Sequence, residues 1–178
     1  KRKSRKVNKG IIMEEFDIII IGAGTAGMTA GIYTARANKK VLLLEGKNYG
    51  GQIINTPDIE NFPTISHISG IDYATNLYNQ IKELGVIYKR EEVIKLTENR
   101  IITTKKNQYK AKAVIIATGT QNRKLGLKNE EKLIGRGISY CATCDGRFYK
   151  GKKVAVIGGG NTAIEDAIYL SDLAEKVY

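Results

Sequence analysis

The chain has 178 residues, of which 42% are hydrophobic and 26% charged, with 19 glycines, two prolines, two cysteines, one histidine and no tryptophan. This is the balance of a globular chain, and it excludes collagen-like, disordered and disulfide-stapled secreted scaffolds. One His and two Cys barely reach the minimum ligand set of a metal centre, so metal chemistry is not expected. The net charge is +11, yet six basic residues, Lys1, Arg2, Lys3, Arg5, Lys6 and Lys9, lie in the first twelve positions, where there is no acid. The excess belongs largely to a short arm. Residues 1–12 are read as upstream read-through or a disordered extension, with Met13 as the start, and no nucleic-acid partner is expected.

From Phe16 to Ile21 an isoleucine run bounded by glycine has the composition of a buried parallel strand. The uncharged stretch continues to Ala35, but Gly22, Gly24, Gly27 and Gly31 with three threonines make it a strand and helix rather than a membrane span. No membrane partner is expected, and the cytoplasm is the expected location. Thr25 to Asn38 reads as a helix and Val41 to Glu45 as a second strand, together a βαβ unit of the usual size. Gly50-Gly51 marks a loop that runs to Pro63 without periodicity. Ser69 to Leu84 returns to helical spacing and ends at Gly85 as a C-cap. Val86 to Tyr88 reads as a strand, then Glu92 to Thr97, Arg100 to Thr104 and Tyr109 to Lys112 as a small antiparallel ribbon, and Ala113 to Ala117 as a further buried strand. After a polar connector, Gly135 to Gly146 holds both cysteines. Lys153 to Ile157, a glycine-rich turn and the helix Thr162 to Leu173 repeat the opening pattern, and a strand is expected to begin at Val177-Tyr178.

Three motifs carry chemistry. Gly22-Ala23-Gly24-Thr25-Ala26-Gly27 follows a strand and opens a helix, with Glu45 ending the next strand. In that setting the glycines allow a tight turn, close approach to a pyrophosphate and close helix packing, while the acid meets a ribose. Gly158-Gly159-Gly160-Asn161-Thr162-Ala163 is the same fingerprint with Ala in the third glycine's place, and it points to a second dinucleotide. Cys141-Ala142-Thr143-Cys144-Asp145 places two thiols at the spacing of a dithiol-disulfide pair. Half of a zinc site is the alternative, and the only His, His67, is distant in sequence. Asp145 is either a loop acid or a proton donor to a departing thiolate. Gly50-Gly51-Gln52, Glu60-Asn61-Phe62-Pro63 and Ala117-Thr118-Gly119 are loops that either wrap a flat cofactor or simply turn the chain.

In this order these segments, with Ser139 to Gly146 between the two fingerprints, resemble the low-molecular-weight bacterial thioredoxin reductases over Phe16 to Tyr178. The resemblance implies an α/β fold: a three-layer Rossmann-like FAD-binding domain with a small antiparallel β ribbon, followed by the start of a second Rossmann-like NAD(P)-binding domain. The corresponding spans are 13–120 and 121–178. It implies that Gly22, Gly24, Thr25, Ala26 and Gly27 hold the FAD pyrophosphate and Glu45 its adenosine ribose. Gly51, Gln52 and Asn61 would lie along the flavin side, and Gly46, Ala117, Thr118 and Gly119 are further expected cofactor-binding residues. Gly158, Gly160, Asn161, Thr162 and Ala163 would receive the nicotinamide nucleotide. Cys144 would face the flavin, Cys141 attack thioredoxin, and Asp145 act as general acid. The implied reaction passes electrons from NADPH through FAD and the Cys141–Cys144 disulfide to thioredoxin, in a homodimer. The ribose selector of the second nucleotide would lie past Tyr178, so NADPH and NADH are not separated. The chain is therefore expected to be part of a longer protein and inactive alone. Its second fingerprint helix is expected to present Ala163, Ile164, Ala167, Ile168 and Leu170 as an apolar face. The alternatives are the flavoprotein subunit of an alkyl hydroperoxide reductase, whose additional N-terminal region is not expected before Met13, and a non-catalytic nucleotide-binding or zinc module.

Overall fold

The computed structural model describes residues 13–178, and the expected arm at 1–12 lies outside them. The chain divides into two compact units: residues up to Gly51 with Ala74–Gly119, and Gln52–Tyr73 with Thr120–Tyr178.

The first unit is built on a six-stranded sheet. Its strands are β1 (Glu14–Ile21), β2 (Val41–Glu45), β3 (Ile87–Arg90), β4 (Val93–Leu96), β5 (Ile101–Thr104) and β6 (Gln108–Ile116), in the order β3-β2-β1-β6-β5-β4. The pairs β3-β2, β2-β1 and β1-β6 are parallel, and β6-β5 and β5-β4 antiparallel. The isoleucine and leucine runs supply the centre: Ile19, Ile20, Leu42, Leu43 and Leu44 are fully buried. Helix α1 (Thr25–Arg36) packs on this sheet through Met28, Gly31 and Ile32. A Cβ at Gly31 would stand 3.6–3.8 Å from Ile81, Ile20 and Val86, ordinary contact distances, so the helix packs closely here without requiring a glycine. Helix α2 (Gly70–Glu83) ends at Gly85, whose φ of 78° is the left-handed turn expected of a C-cap.

Two expectations are corrected here. The segments 109–112 and 113–117 are one strand, β6, paired with β1 along nearly its whole length and with β5 over its first residues. The ribbon β4-β5 is consequently the continuation of the main sheet and not a separate element.

In the second unit, a 3-10 turn at Gly51–Asn55 is followed by an isolated bridge between Ile59 and Ile68. Beyond residue 120 come α3 (Glu130–Leu133), α4 (Ala142–Asp145), a 3-10 turn at Gly146–Tyr149, β7 (Lys153–Val154), α5 (Asn161–Ser171) and β8 (Lys176–Val177). β7 and β8 pair in parallel, and Val156 N–H donating to Tyr178 O extends the pairing. The expected closing strand is therefore present, beginning one residue earlier. On α5, Ile164 and Ile168 are exposed as expected, but Leu170 is buried.

Candidate redox and nucleotide sites

In the first unit the chain leaves β1 at Gly22, with φ of 105°. A Cβ there would sit 2.2 Å from Ala117 O, and one at Gly27 1.8 Å from Gly22 O. Both positions are closed to any side chain, the first by β6's exit and the second by the turn itself. Gly24 is different: a Cβ would find only Gly50 O and Gly51 Cα, each at 3.9 Å. Packing does not demand a glycine at that position, so the bare backbone there is free for a ligand. Immediately beyond it, α1 begins with no side-chain cap and no acid in its first turn. The amides of Thr25, Ala26 and Gly27 thus stand at the positive end of a twelve-residue helix, an arrangement that suits a pyrophosphate.

The second glycine loop is tied to this turn. Gly50 N–H donates to Ala23 O at 2.7 Å, Gly24 and Gly50 form a bridge, and Gly51, with φ of 67°, places a would-be Cβ 3.1 Å from Gly24 Cα. Glu45, at the end of β2, accepts from Ala23 N–H through Oε2 and from Lys47 N–H through Oε1, both at 2.8 Å. These bonds fix the carboxylate while leaving each oxygen a further lone pair for a ribose hydroxyl. Gly46 packs on Glu92, and Thr118 and Gly119 follow β6 as exposed residues beside the same turn. The sequence-proposed residues Gly22, Gly24, Thr25, Ala26, Gly27, Glu45, Ala117 and Thr118 therefore converge on one edge of the sheet.

Within the second unit, Gln52 Nε2 donates to Thr120 O at 3.0 Å and its Oε1 accepts from Asn55 at 3.4 Å, while Asn61 is exposed. His67 is not isolated: the Ile59–Ile68 bridge brings it to Asp58, with Nδ1 2.9 Å from Oδ2, and to Glu60. Glu60 is itself paired with Arg147 at 2.6 Å.

The cysteines form a disulfide, Cys141–Cys144, with Cα atoms 5.3 Å apart. Cys141 caps α4, its Sγ accepting from Cys144 N–H at 3.3 Å. Cys144 is exposed and Cys141 half-buried. Ser139, which sequence reasoning missed, organises the loop. Its hydroxyl donates to Asp145 Oδ2 at 2.6 Å and accepts from Cys141 N–H at 3.1 Å. A Ser two residues before a cysteine that opens a turn was the available signal. Burial pushes the Tyr149 phenol above its ordinary value, and the nearby Asp145 carboxylate adds to the shift. Gly146 lets this loop approach α5: a Cβ would stand 2.9 Å from Tyr169 and 3.3 Å from Leu173.

A second missed residue is Glu130, buried and accepting from the N–H groups of Leu125, Gly126 and Leu127 and from the Tyr140 hydroxyl. Tyr140 and these amides hold its carboxyl down at about 2, against the effect of burial. At the second fingerprint, Gly158 has φ of 154° and Gly159 and Gly160 have open space where side chains would be. Helix α5 begins at Asn161 without a side-chain cap or an acid in its first turn, leaving the amides of Asn161, Thr162 and Ala163 for an anion.

Two uncapped helix starts after glycine turns, with a disulfide between them in sequence, set the comparison with known proteins. Residues 16–178 match the pyridine nucleotide-disulphide oxidoreductase family. The chain belongs to that family. Members of this oxidoreductase family work with a flavin and a nicotinamide nucleotide, and both helix starts offer the bare amides such ligands need. The chain is 46% identical over 91% of its length to thioredoxin reductase of Bacillus subtilis, and it spans about half (52%) of that relative. It is 47% identical over 93% of its length to thioredoxin reductase of Buchnera aphidicola, again spanning 52% of it. Among solved structures, the thioredoxin reductase of Streptococcus pyogenes superposes with a TM-score of 0.83 at 44% identity, over 92% of this chain and 54% of that one. That of Giardia duodenalis gives 0.85 at 37% identity, over 93% and 55%. Among the described residues no helix is long and apolar enough to cross a membrane.

Proposed function

We propose that this chain carries the flavin-binding fingerprint and the redox-active dithiol of an NADPH-dependent thioredoxin reductase. The observation that carries the reading is the Cys141–Cys144 disulfide, with Cys144 an exposed residue and Cys141 a half-buried one, in a chain of the pyridine nucleotide-disulphide oxidoreductase family. The first fingerprint with Glu45 is assigned to FAD and the second to the nicotinamide nucleotide, NADPH with NADH as the alternative; the residues are Gly22, Gly24, Thr25, Ala26, Gly27, Glu45 and Gly46 for the one, and Gly158, Gly160, Asn161, Thr162 and Ala163 for the other. Gly51, Gln52, Asn61, Ala117, Thr118 and Gly119 are assigned to the flavin side. When bound, the flavin supplies two electrons that originate from the reduced nicotinamide.

The residues of the loop account for the rest. With the pair reduced, the Cys141 thiolate attacks a disulfide sulfur of thioredoxin, forming a mixed disulfide and releasing one thioredoxin thiolate. Cys144 then attacks Cys141 Sγ, which restores the internal disulfide and releases the second thioredoxin sulfur. Asp145, oriented by Ser139, supplies a proton to a departing thiolate. The spans 13–120 and 121–178 are assigned to the first segment of the flavin domain and to the nucleotide domain, in a cytoplasmic homodimer.

The test follows NADPH consumption with thioredoxin as acceptor. In the full-length protein, Cys141→Ser is expected to abolish thioredoxin reduction while NADPH still bleaches the flavin, and normal turnover by this variant would overturn the proposal. Thiol titration is expected to gain two thiols on reduction with no metal released, which separates this reading from a zinc module.

A further inference from the structure

One cluster in the first unit is not used by this chemistry. Tyr49, in the loop before Gly50-Gly51, lies flat on Tyr78 of α2, with ring centroids 4.2 Å apart and planes within 3° of parallel. Tyr88 of β3 closes the other side, edge-on to Tyr78 at 5.2 Å and 84°. The Lys82 ammonium stands 5.7 Å from the Tyr78 ring centroid. All three tyrosines are half-buried. Directly after Tyr49, Gly50 N–H donates to Ala23 O and Gly51 rests on Gly24 Cα. A loop rich in glycine has no side chains of its own with which to hold such a position, and it loses more freedom on ordering than any other sequence. Tyr49 is the one large side chain between Glu45 and Gln52 that packs on a neighbouring element through its ring.

We propose that the Tyr49–Tyr78 stack, backed by Tyr88, is a clamp that positions Gly50-Gly51 against the first glycine turn and so keeps the dinucleotide cradle formed before its ligand arrives. Tyr78 and Tyr49 act as positioning residues, through the loop and without touching the reacting atoms. Offset or parallel ring pairs contribute specific stabilisation beyond the area they bury. Ordering the loop in advance lowers the entropy that a ligand must otherwise offset on binding. The inference rests on the assignment of the first fingerprint to FAD, and it adds the residues that hold the cradle's second wall.

Amide hydrogen exchange in the flavin-free protein tests the clamp directly. Tyr78→Leu is expected to speed exchange at Gly50 about fivefold, the scale of a lost aromatic pair, while Gly22, on the opposite side of the turn, keeps its rate. Tyr78→Phe retains the ring and is expected to restore slow exchange. Tyr49→Leu removes the other ring from a loop, without touching a helix, and is expected to match Tyr78→Leu. With FAD present, both leucine variants are expected to release it about fivefold faster, and Tyr78→Phe at the normal rate. Unchanged exchange at Gly50 in both leucine variants would overturn the clamp, as would faster exchange with unchanged FAD release. Failure of the underlying assignment has a different signature: no FAD binding to the unmodified protein even though Gly50 exchange responds as described.

Discussion

The two glycine fingerprints share the G-x-G-x-x-G/A spacing and are unlike in their surroundings. In the first, β6 lies beside β1 and its exit residue Ala117 crowds Gly22, while Gly27 is pressed against Gly22 O; two of the glycines are there because nothing else fits. In the second, the flanking strand β7 pairs only with β8 among the described residues, and Gly159 and Gly160 face open space. Ile157 before the turn is 68% exposed and Ile164 after it 58%. The same spacing thus stands in a packed turn in one place and, among the described residues, in an unpacked one in the other. What makes a fingerprint glycine indispensable to folding is backbone laid against it, from the exit of β6 at Gly22 and from the turn itself at Gly27, and what makes it indispensable to binding is space left for a ligand.

That distinction predicts a large difference between two glycine-to-alanine substitutions, one in each fingerprint. Gly27→Ala drives a methyl into Gly22 O and is expected to cost more than about 3 kcal/mol in urea denaturation, whereas Gly159→Ala is expected to stay within about 0.5 kcal/mol. Similar losses at both positions would break the comparison. Gly24 is the sharper case, because it lies in the packed turn yet is itself uncrowded. Gly24→Val is expected to leave the fold largely intact by circular dichroism but to purify without flavin; a fully flavin-loaded variant would contradict the site.

The second unit is tied by polar contacts where the first has its sheet, and acid should reveal this. Glu130 titrates at about 2 in the folded chain, against about 4.3 for a free glutamate. A lowered folded value means that its stabilisation is complete above the ordinary carboxylate range and disappears as the pH falls toward about 2. Glu130→Gln should therefore flatten the loss of stability between about pH 5 and pH 2, measured by urea titration. The smallest effect is expected at Ser139. Ser139→Ala removes the side-chain partner of Asp145 and of the Cys141 amide, and under the proposed function is expected to lower the rate of thioredoxin reduction by the full-length protein about tenfold with little change in flavin content. An unaltered rate would remove Ser139 from the positioning of Asp145.

Much of the first unit was legible because its signals are local. The isoleucine run, the glycine turn, the following helix and Glu45 occur within one βαβ unit, and each constrains its neighbours. The reading failed on β6 because the strand changes character along its length. Tyr109 and Ala111 are buried between exposed Lys110 and Lys112, which reads as a half-solvated strand, and a continuous apolar run follows. A shift from alternation to continuity looks like two elements when it is one strand passing from the edge of the ribbon into the sheet. The four-residue helices α3 and α4 carry no periodic signal. The partners of Glu60 and His67 depend on contacts between loops, among them the pairing of Glu60 with the remote Arg147, and residue spacing says nothing about these. The disulfide was legible for the opposite reason, since both cysteines sit within one turn.

The position of β6 also determines where the chain tolerates being lengthened. Extra residues at the tips of the ribbon, near Asn99 or Lys106, would enlarge turns whose ends are already held by β4-β5 and β5-β6 pairing, and the sheet could absorb them. One extra residue between Ala111 and Ala117 has no such outlet. It would shift the register against β1 and turn every later side chain to the opposite face. It would also carry the Ala117 carbonyl away from the Gly22 turn that it abuts. Insertions in related chains are thus expected to collect at the ribbon tips and to be missing from the six residues that lead into the Ala117-Thr118-Gly119 crossing.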